Sequence, residues 1–446
     1  MQLYDLVGIG FGPSNIALAI SLEEANYQGK VLFLERNSSS LWQEGMLLDG
    51  SDIQNNPLRD LITPVNPRSM YTFVNYLHQT GRFWRYLNLG THYPLRKDFF
   101  GYVSWVASQM PNVQYDTEIR DIHVERANGE SLWRITDTRG NTYGARRLVL
   151  GTGRKLHIPD IPGLQECEHI VHLTQYLPAV RKLPRGANVA VLGGSQSAVE
   201  IALDLLNREI GSVIAIHRSY SYRLKDTSPF SDEVYFPEFT DYYHALPPEK
   251  RSLMDAQVRQ TNYSSADGDV IGQLYLKMYE DELDGKQRVF VFRNHIIDKI
   301  HYDRGVVLDL KDIYTGSRDR VSADLLVLAT GFLDIGRNGR DGLPALLTNV
   351  ADSFSWTGGY LDVERDYRVR YREDSQTMPD LYMNGLCESS HGLGDAGSFS
   401  LVSVRARDIF TSIVERSASD RRQHDSPEAA KVAVSAERQE RVIRPA

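Results

Sequence analysis

Two glycine turns, each set between an apolar strand and an apolar-faced helix, constrain this chain more than any other feature. The first is Tyr4-Asp5-Leu6-Val7-Gly8-Ile9-Gly10-Phe11-Gly12-Pro13-Ser14-Asn15, leading into a helix with Ile16, Ala17 and Ile20 and then into Val31-Leu32-Phe33-Leu34-Glu35. In such a unit Gly8 allows the tight turn, Gly10 lets backbone approach a pyrophosphate, and the helix N-terminus at Gly12 and Pro13 faces the anion. A carboxylate at Glu35, ending the second strand, suits ribose hydroxyls. Without the strand, helix and acid around it, the same turn would read as an ordinary glycine loop that binds nothing.

The second unit is Val189-Ala190-Val191-Leu192-Gly193-Gly194-Ser195-Gln196-Ser197-Ala198, followed by a helix through Glu200, Leu203 and Leu206. Here Gly193, Ser195, Gln196 and Ser197 form the phosphate turn, and the serine in place of the middle glycine crowds the backbone slightly. The next strand, Ser212 to His217, ends in Arg218 rather than an acid. A guanidinium grips phosphate with paired donors, so Arg218 suits the 2′-phosphate of NADP; the alternative is a plain surface arginine. Different closing residues imply different nucleotides. FAD in the first unit and NADPH in the second is the simplest assignment.

Two further strands end in small-residue turns, Arg147-Leu148-Val149-Leu150-Gly151-Thr152-Gly153 and Leu325-Leu326-Val327-Leu328-Ala329-Thr330-Gly331-Phe332. Each is short and apolar enough for a buried parallel strand, and beside two nucleotide units such turns mark the chain crossing between domains. The expected fold is therefore α/β, with two Rossmann-like dinucleotide-binding domains and a small helical substrate-binding insertion. A split FAD-binding domain is expected over residues 1–185 and 325–415, with the NADPH-binding domain over 186–324. Residues 224–285 interrupt the second nucleotide pattern with aromatic and polar chain. Their helical stretches, Pro247 to Gln260 and Asp267 to Glu282, predict a lid. Residues 416–446 read as a flexible tail.

Composition narrows the chemistry. A net charge of −8 and no basic face argue against a nucleic-acid partner. Cys167 and Cys387 form no C-x-x-C pair, which excludes the redox disulfide of flavin disulfide reductases. No clustered His/Cys set suggests a metal. There is no run of eighteen apolar residues, and the chain enters a strand at once, so neither a membrane span nor a signal peptide is expected and the location should be cytoplasmic. After Glu35, a long loop carries Trp42 and Met46, which either line a ring or belong to the core. Arg59 in that loop either aims at a small anion or pairs with an acid such as Asp60.

Taken in order, these segments resemble the flavin-dependent N-hydroxylating monooxygenases, the ornithine and lysine N-hydroxylases of siderophore pathways. The resemblance runs through Gly8 to Asn15, Trp42 with Gly45-Met46-Leu47, Tyr71-Thr72-Phe73-Val74-Asn75-Tyr76-Leu77 and Tyr93-Pro94-Leu95-Arg96. It continues through Gly193 to Ala198, Asp226-Thr227-Ser228-Pro229-Phe230, Thr261-Asn262-Tyr263, Ala329-Thr330-Gly331-Phe332, and His391-Gly392-Leu393 before Ser400. It implies that NADPH reduces FAD, that oxygen adds at the flavin C4a, and that the hydroperoxide oxygenates a primary amine. It also implies cofactor contacts at Thr330, Gly331, His391 and Gly392, and substrate contacts at Gln54, Arg59, Asp232, Asn262 and Ser400. The expected partners are a small amine and O2, with a homo-oligomeric assembly, dimer or tetramer, as is common in the family.

The chain departs from the family at the substrate end. The family's lysine falls on Arg59, an asparagine falls on Asp232, and Gln43 replaces a histidine. Arg59 argues for an anionic group on the substrate and Asp232 for a second ammonium. The expected activity is N-hydroxylation of a small amino acid or diamine of the ornithine/lysine class. Cadaverine, putrescine or aspartate are the near alternatives. A sulfur- or ketone-oxygenating flavoenzyme and a non-catalytic flavoprotein are more distant ones.

Overall fold

The computed structural model describes residues 1–425 apart from 128, 209, 336–340 and 376, with the backbone alone for 419–425. Its larger sheet grows around Gln2–Ile9, whose second half is apolar on both faces and so needs cover on both. Val31–Leu34 lies parallel on one side of it and Thr142–Leu150 parallel on the other. Glu130–Asp137 and Ile119–Ala127 extend the sheet antiparallel, while Asp380–Met383 adds to the far half of Thr142–Leu150. The helix Pro13–Glu24 packs one face, and its residues Asn15 to Leu22 are all buried. The long helix Val402–Asp425 covers it, burying Ala406, Ile409 and Ile413.

The smaller sheet is parallel throughout, in the order Val289–Arg293, Ser212–His217, Asn188–Leu192, Leu325–Leu328, Ile170–His172. An antiparallel meander, His295–Tyr302, Val306–Asp312 and Arg318–Ala323, closes one face with Ile297, Leu308 and Leu310. The helices Gln196–Leu206 and Gly268–Leu283 cover the other. The chain crosses between the sheets twice, and the crossings pair with each other as Lys155–Leu156 against Phe332–Leu333.

Three expectations change here. Ile170–His172 and Leu325–Leu328, expected in the first domain, are hydrogen-bonded into the second sheet. Periodicity cannot say which of two sheets an apolar strand joins. The segment Gly268–Leu283 is not lid: it is the crossover helix between parallel strands, and Leu274, Val270, Ile271 and Met278 pack in the core beneath them. The helices Pro237–Ala245 and Pro248–Val258 are the true insertion. Finally, the helix Val402–Asp425 runs on past 416, where Arg416 pairs with Asp380 at 2.7 Å. Residues 426–446 of the expected tail lie outside the described residues. Among the described residues, no helix is long and apolar enough to cross a membrane.

Candidate active site

A cleft of about 1050 Å³ opens between the two sheets. It is at the upper limit of a site for one drug-sized ligand. On the side of the larger sheet it is lined by Gly10, Gly12, Pro13, Ser14 and Glu35. Gly10 has φ +82°, and a Cβ there would lie 2.6 Å from the Gly151 carbonyl oxygen. It is the turn glycine. Gly8, expected in that role, lies within the strand, where its missing Cβ makes room for the Phe33 ring. A Cβ on Gly12 would meet nothing within 4 Å, and no side chain caps the helix it opens. Open space in front of uncapped helix N–H groups is what a pyrophosphate requires. Glu35 accepts from Phe11 N at 2.7 Å and from Asn37 N at 2.9 Å, so the carboxylate braces the turn and still borders the cleft. These residues fit a dinucleotide such as FAD.

On the side of the smaller sheet, Ser195, Gln196 and Ser197 line the cleft at another helix N-terminus without a side-chain cap. Gln196 is held three ways. Its N–H donates to Ser265 O (2.9 Å), its Nε2 donates to Glu200 (3.0 Å), and its Oε1 accepts from Asp267 N (2.8 Å). The turn is thus rigid before any nucleotide arrives. Gly193 lies behind it, where a Cβ would meet Ala329 O at 2.5 Å; its role is close packing of strands. Arg218 is exposed just past its strand and makes no hydrogen bond or ion pair among the described residues. It is outside the cleft lining.

Trp42, Met46, Gln54, Asn262, Gly331 and the loop 395–399 meet at the junction. Trp42 packs edge-on to Phe99 and Phe399, and Met46 is 3% exposed in the second domain's core, so both are core residues that also border the cleft. Gly397 brings its backbone close to Asn262: a Cβ would lie 2.6 Å from Nδ2. Arg59 Nη1 donates to Ser400 Oγ (3.4 Å), which donates to Asn55 Oδ1 (2.9 Å). The expected substrate residues 54, 59, 262 and 400 are therefore on adjoining segments. Asp60 is not the partner of Arg59. It is fully buried and accepts from Ile62 N, Thr63 N and Phe73 N. Gln54 and Asn262 border the cleft, whereas Arg59, Asp232 and Ser400 are outside its lining, and neither Arg59 nor Asp232 makes an ion pair among the described residues.

Besides Gly8, Gly193 and Arg218, three more expected cofactor residues are outside the cleft lining. His391 is wholly buried, stacked on Tyr367 at 4.0 Å and packed on His244; burial holds it well below the usual histidine range, so it is a neutral packing residue. A Cβ on Gly392 would press on Phe239 and Tyr243, so this glycine serves the packing of the insertion. Thr330 bonds to His157 across the paired crossings, while Ala329, Gly331 and Phe332 on either side of it border the cleft.

The roles of several cleft residues gave no signal in the sequence. Arg405 is 2% exposed and binds Asp395 Oδ1 (2.8 Å), Asn384 Oδ1 (2.8 Å) and Ser14 Oγ (3.0 Å). Asn384 in turn donates to Asn15, which donates to Gly10 O at 2.7 Å. This chain of bonds fastens the C-terminal helix under the first glycine turn. Arg96 makes two bonds to Glu200 (2.9 and 3.0 Å) and one to Met46 O, all buried, joining the domains. Arg154 gathers Tyr263, Asp334 and Glu388 at 2.7, 3.2 and 3.1 Å. Each of the three has at least one partner more than a hundred positions away, from 104 for Arg96–Glu200 to 391 for Arg405–Ser14, beyond any local pattern.

Comparison with known proteins agrees with this geometry. Residues 2–334 match the family described as L-lysine 6-monooxygenase/L-ornithine 5-monooxygenase. The L-ornithine N(5)-monooxygenase of Burkholderia cepacia is 34% identical over 408 residues, covering 87% of this chain and 90% of that protein. The ornithine N-hydroxylase of Kutzneria sp. 744, solved with reduced FAD, NADP+ and L-ornithine, superposes with a TM-score of 0.85 at 32% identity, over 93% of this chain and 100% of that one. The FAD-bound cadaverine monooxygenase of Erwinia amylovora superposes at 0.81 with 25% identity, over 99% and 100%. The chain belongs to the family of flavin-dependent lysine and ornithine N-monooxygenases.

Proposed function

We propose that this chain, with FAD and NADPH, hydroxylates the side-chain amine of a small diamino acid of the ornithine/lysine class. The observation that carries the reading is the pair Arg59 and Asp232. They are a guanidinium and a carboxylate without ion-pair partners among the described residues, just behind the cleft wall: Arg59 is linked through Ser400 to Asn55, and Asp232 shares the turn Ser231–Tyr235 with Tyr235, and both Asn55 and Tyr235 border the cleft. Together they complement an α-carboxylate and an α-ammonium. A simple diamine would satisfy Asp232 and leave Arg59 without a counter-charge.

Gly10, Gly12 and Glu35 would hold FAD, Ser195 to Ser197 would hold the NADPH pyrophosphate, and Arg218 its 2′-phosphate. Bound FAD, reduced by NADPH, supplies oxygen in activated form. The protein's own part is to orient the amine and keep water away. Trp42, Phe332, Phe399 and Tyr263 wall the junction with rings. Removing water there lowers an amine's pKa and favours the free base, which alone has the lone pair the reaction needs. Asn262, close against the Gly397 backbone at the cleft, would be a polar group to orient it.

The test is hydroxylamine formation, measured against peroxide, across ornithine, lysine, cadaverine, putrescine and aspartate. Arg59→Ala should raise KM for the preferred amino acid roughly 10- to 100-fold, the worth of a hydrogen bond to a charged group, and leave cadaverine unchanged. A wild-type preference for cadaverine, or equal loss for both, would remove the reading.

A further inference from the structure

Lys225 is a lysine placed where a dinucleotide cleft has no evident use for one. Its side chain is 11% exposed and borders the cleft. Nζ donates to Gln54 Oε1 at 3.0 Å and lies 4.0 Å from Asp267 Oδ1. The contact joins the domains, since Gln54 is on the loop of the first and Lys225 on the segment leaving the second sheet. That segment runs beside 265–267: Lys225 N donates to Ala266 O at 2.9 Å, and Ser265 and Asp267 are the residues that hold Gln196.

Gln54 is in turn unusual. It adopts φ +51°, a left-handed conformation costly for a side chain of this kind, fixed by its N–H donating to Asp52 Oδ1 at 2.9 Å. Its Nε2 is buried without a hydrogen-bond partner. An ammonium only donates, so it must face the amide oxygen, and the two N–H donors of Gln54 are thereby forced to the other side. A buried amide donor without an acceptor is costly, and because Gln54 itself borders the cleft, a bound molecule can supply the missing acceptor.

We infer that Lys225 is a positioning residue: it turns the Gln54 amide so that Nε2 donates to the nicotinamide nucleotide held at the Ser195–Ser197 turn. The inference deepens the proposed N-hydroxylation site, and its nucleotide-affinity arm is independent of which amine is turned over.

The test is a double-mutant cycle on the FAD-loaded enzyme with Lys225→Met, Gln54→Leu and the pair. Two quantities are read: the dissociation constant for NADP+, and the share of consumed NADPH that appears as peroxide. Each single variant should weaken NADP+ roughly three- to tenfold, the worth of one hydrogen bond, and raise the peroxide share. The pair should be no worse than either single variant, and Lys225→Arg should recover most of the loss. Flavin content and thermal midpoint should stay as in the wild type. Additive losses, wild-type NADP+ affinity in Lys225→Met, or a loss confined to flavin content or midpoint would each overturn the inference. Failure of every amine as substrate, with the NADP+ cycle still non-additive, would sink the functional reading and leave this one standing.

Discussion

Asp267 shows how much one side chain can report on the cleft. Burial raises its carboxyl to about 6 from an ordinary 3.8, against the pull of Lys225 and with help from the Asp52 charge. The raised value means that the folded state binds more protons than the unfolded state between pH 4 and 6. Stability therefore falls as pH climbs through that window and stays lower above it. Asp267→Asn should remove this slope: its thermal midpoint should exceed the wild type's at pH 8 and match it near pH 4. An unchanged difference across the range would refute it. The same scale shows what residue types alone can say. Gly10 and Gly12 were legible as glycines of a phosphate-type turn, and the structure gives Gly10 a positive φ and Gly12 an open approach. Gly8 and Gly193 were legible as glycines but not in role, because their demand comes from Phe33 and Ala329 on other strands.

Among the elements, the short turn Glu44–Met46 is the most revealing. A Cβ on Gly45 would lie 1.9 Å from the carbonyl oxygen of Thr174, so here the backbones of two domains touch. Gly45→Ala must push the loop off the second domain, since backbone on both sides cannot yield as a side-chain tip would. It should cost about 1–3 kcal/mol in stability, the usual price of overpacking, and increase peroxide leakage by loosening Trp42 and Met46. Thermal unfolding and the peroxide assay check both; a variant indistinguishable from wild type in both would show that the contact is slack. The helices around the cleft were readable from their apolar spacing, as Gly268–Leu283 illustrates. Its assignment was not readable: a helix that covers a sheet and a helix that covers a substrate have the same amphipathic pattern. Only the contact of Leu274 and Met278 with the second core separates the two.

At the scale of the whole molecule, the domains are joined through Arg96 and Glu200, 9% and 5% exposed. Arg96→Met would strand a buried carboxylate and should cost about 3–5 kcal/mol, whereas Arg96→Met with Glu200→Met should recover much of it. Chemical denaturation of the three proteins decides this; a double variant no better than the single would mean that the pair is truly stabilising. The amino-acid order alone determined that there would be two dinucleotide folds and the family they serve. Strand–turn–helix units are local, so their physics is complete within about thirty residues. What the tertiary structure decided is which sheet the returning strands joined, that His391 is walled off while Lys225 enters the cleft, and that Arg405 and Arg96 hold the site together. Those outcomes depend on burial and on partners a hundred or more positions away, and neither is a property of any segment read by itself.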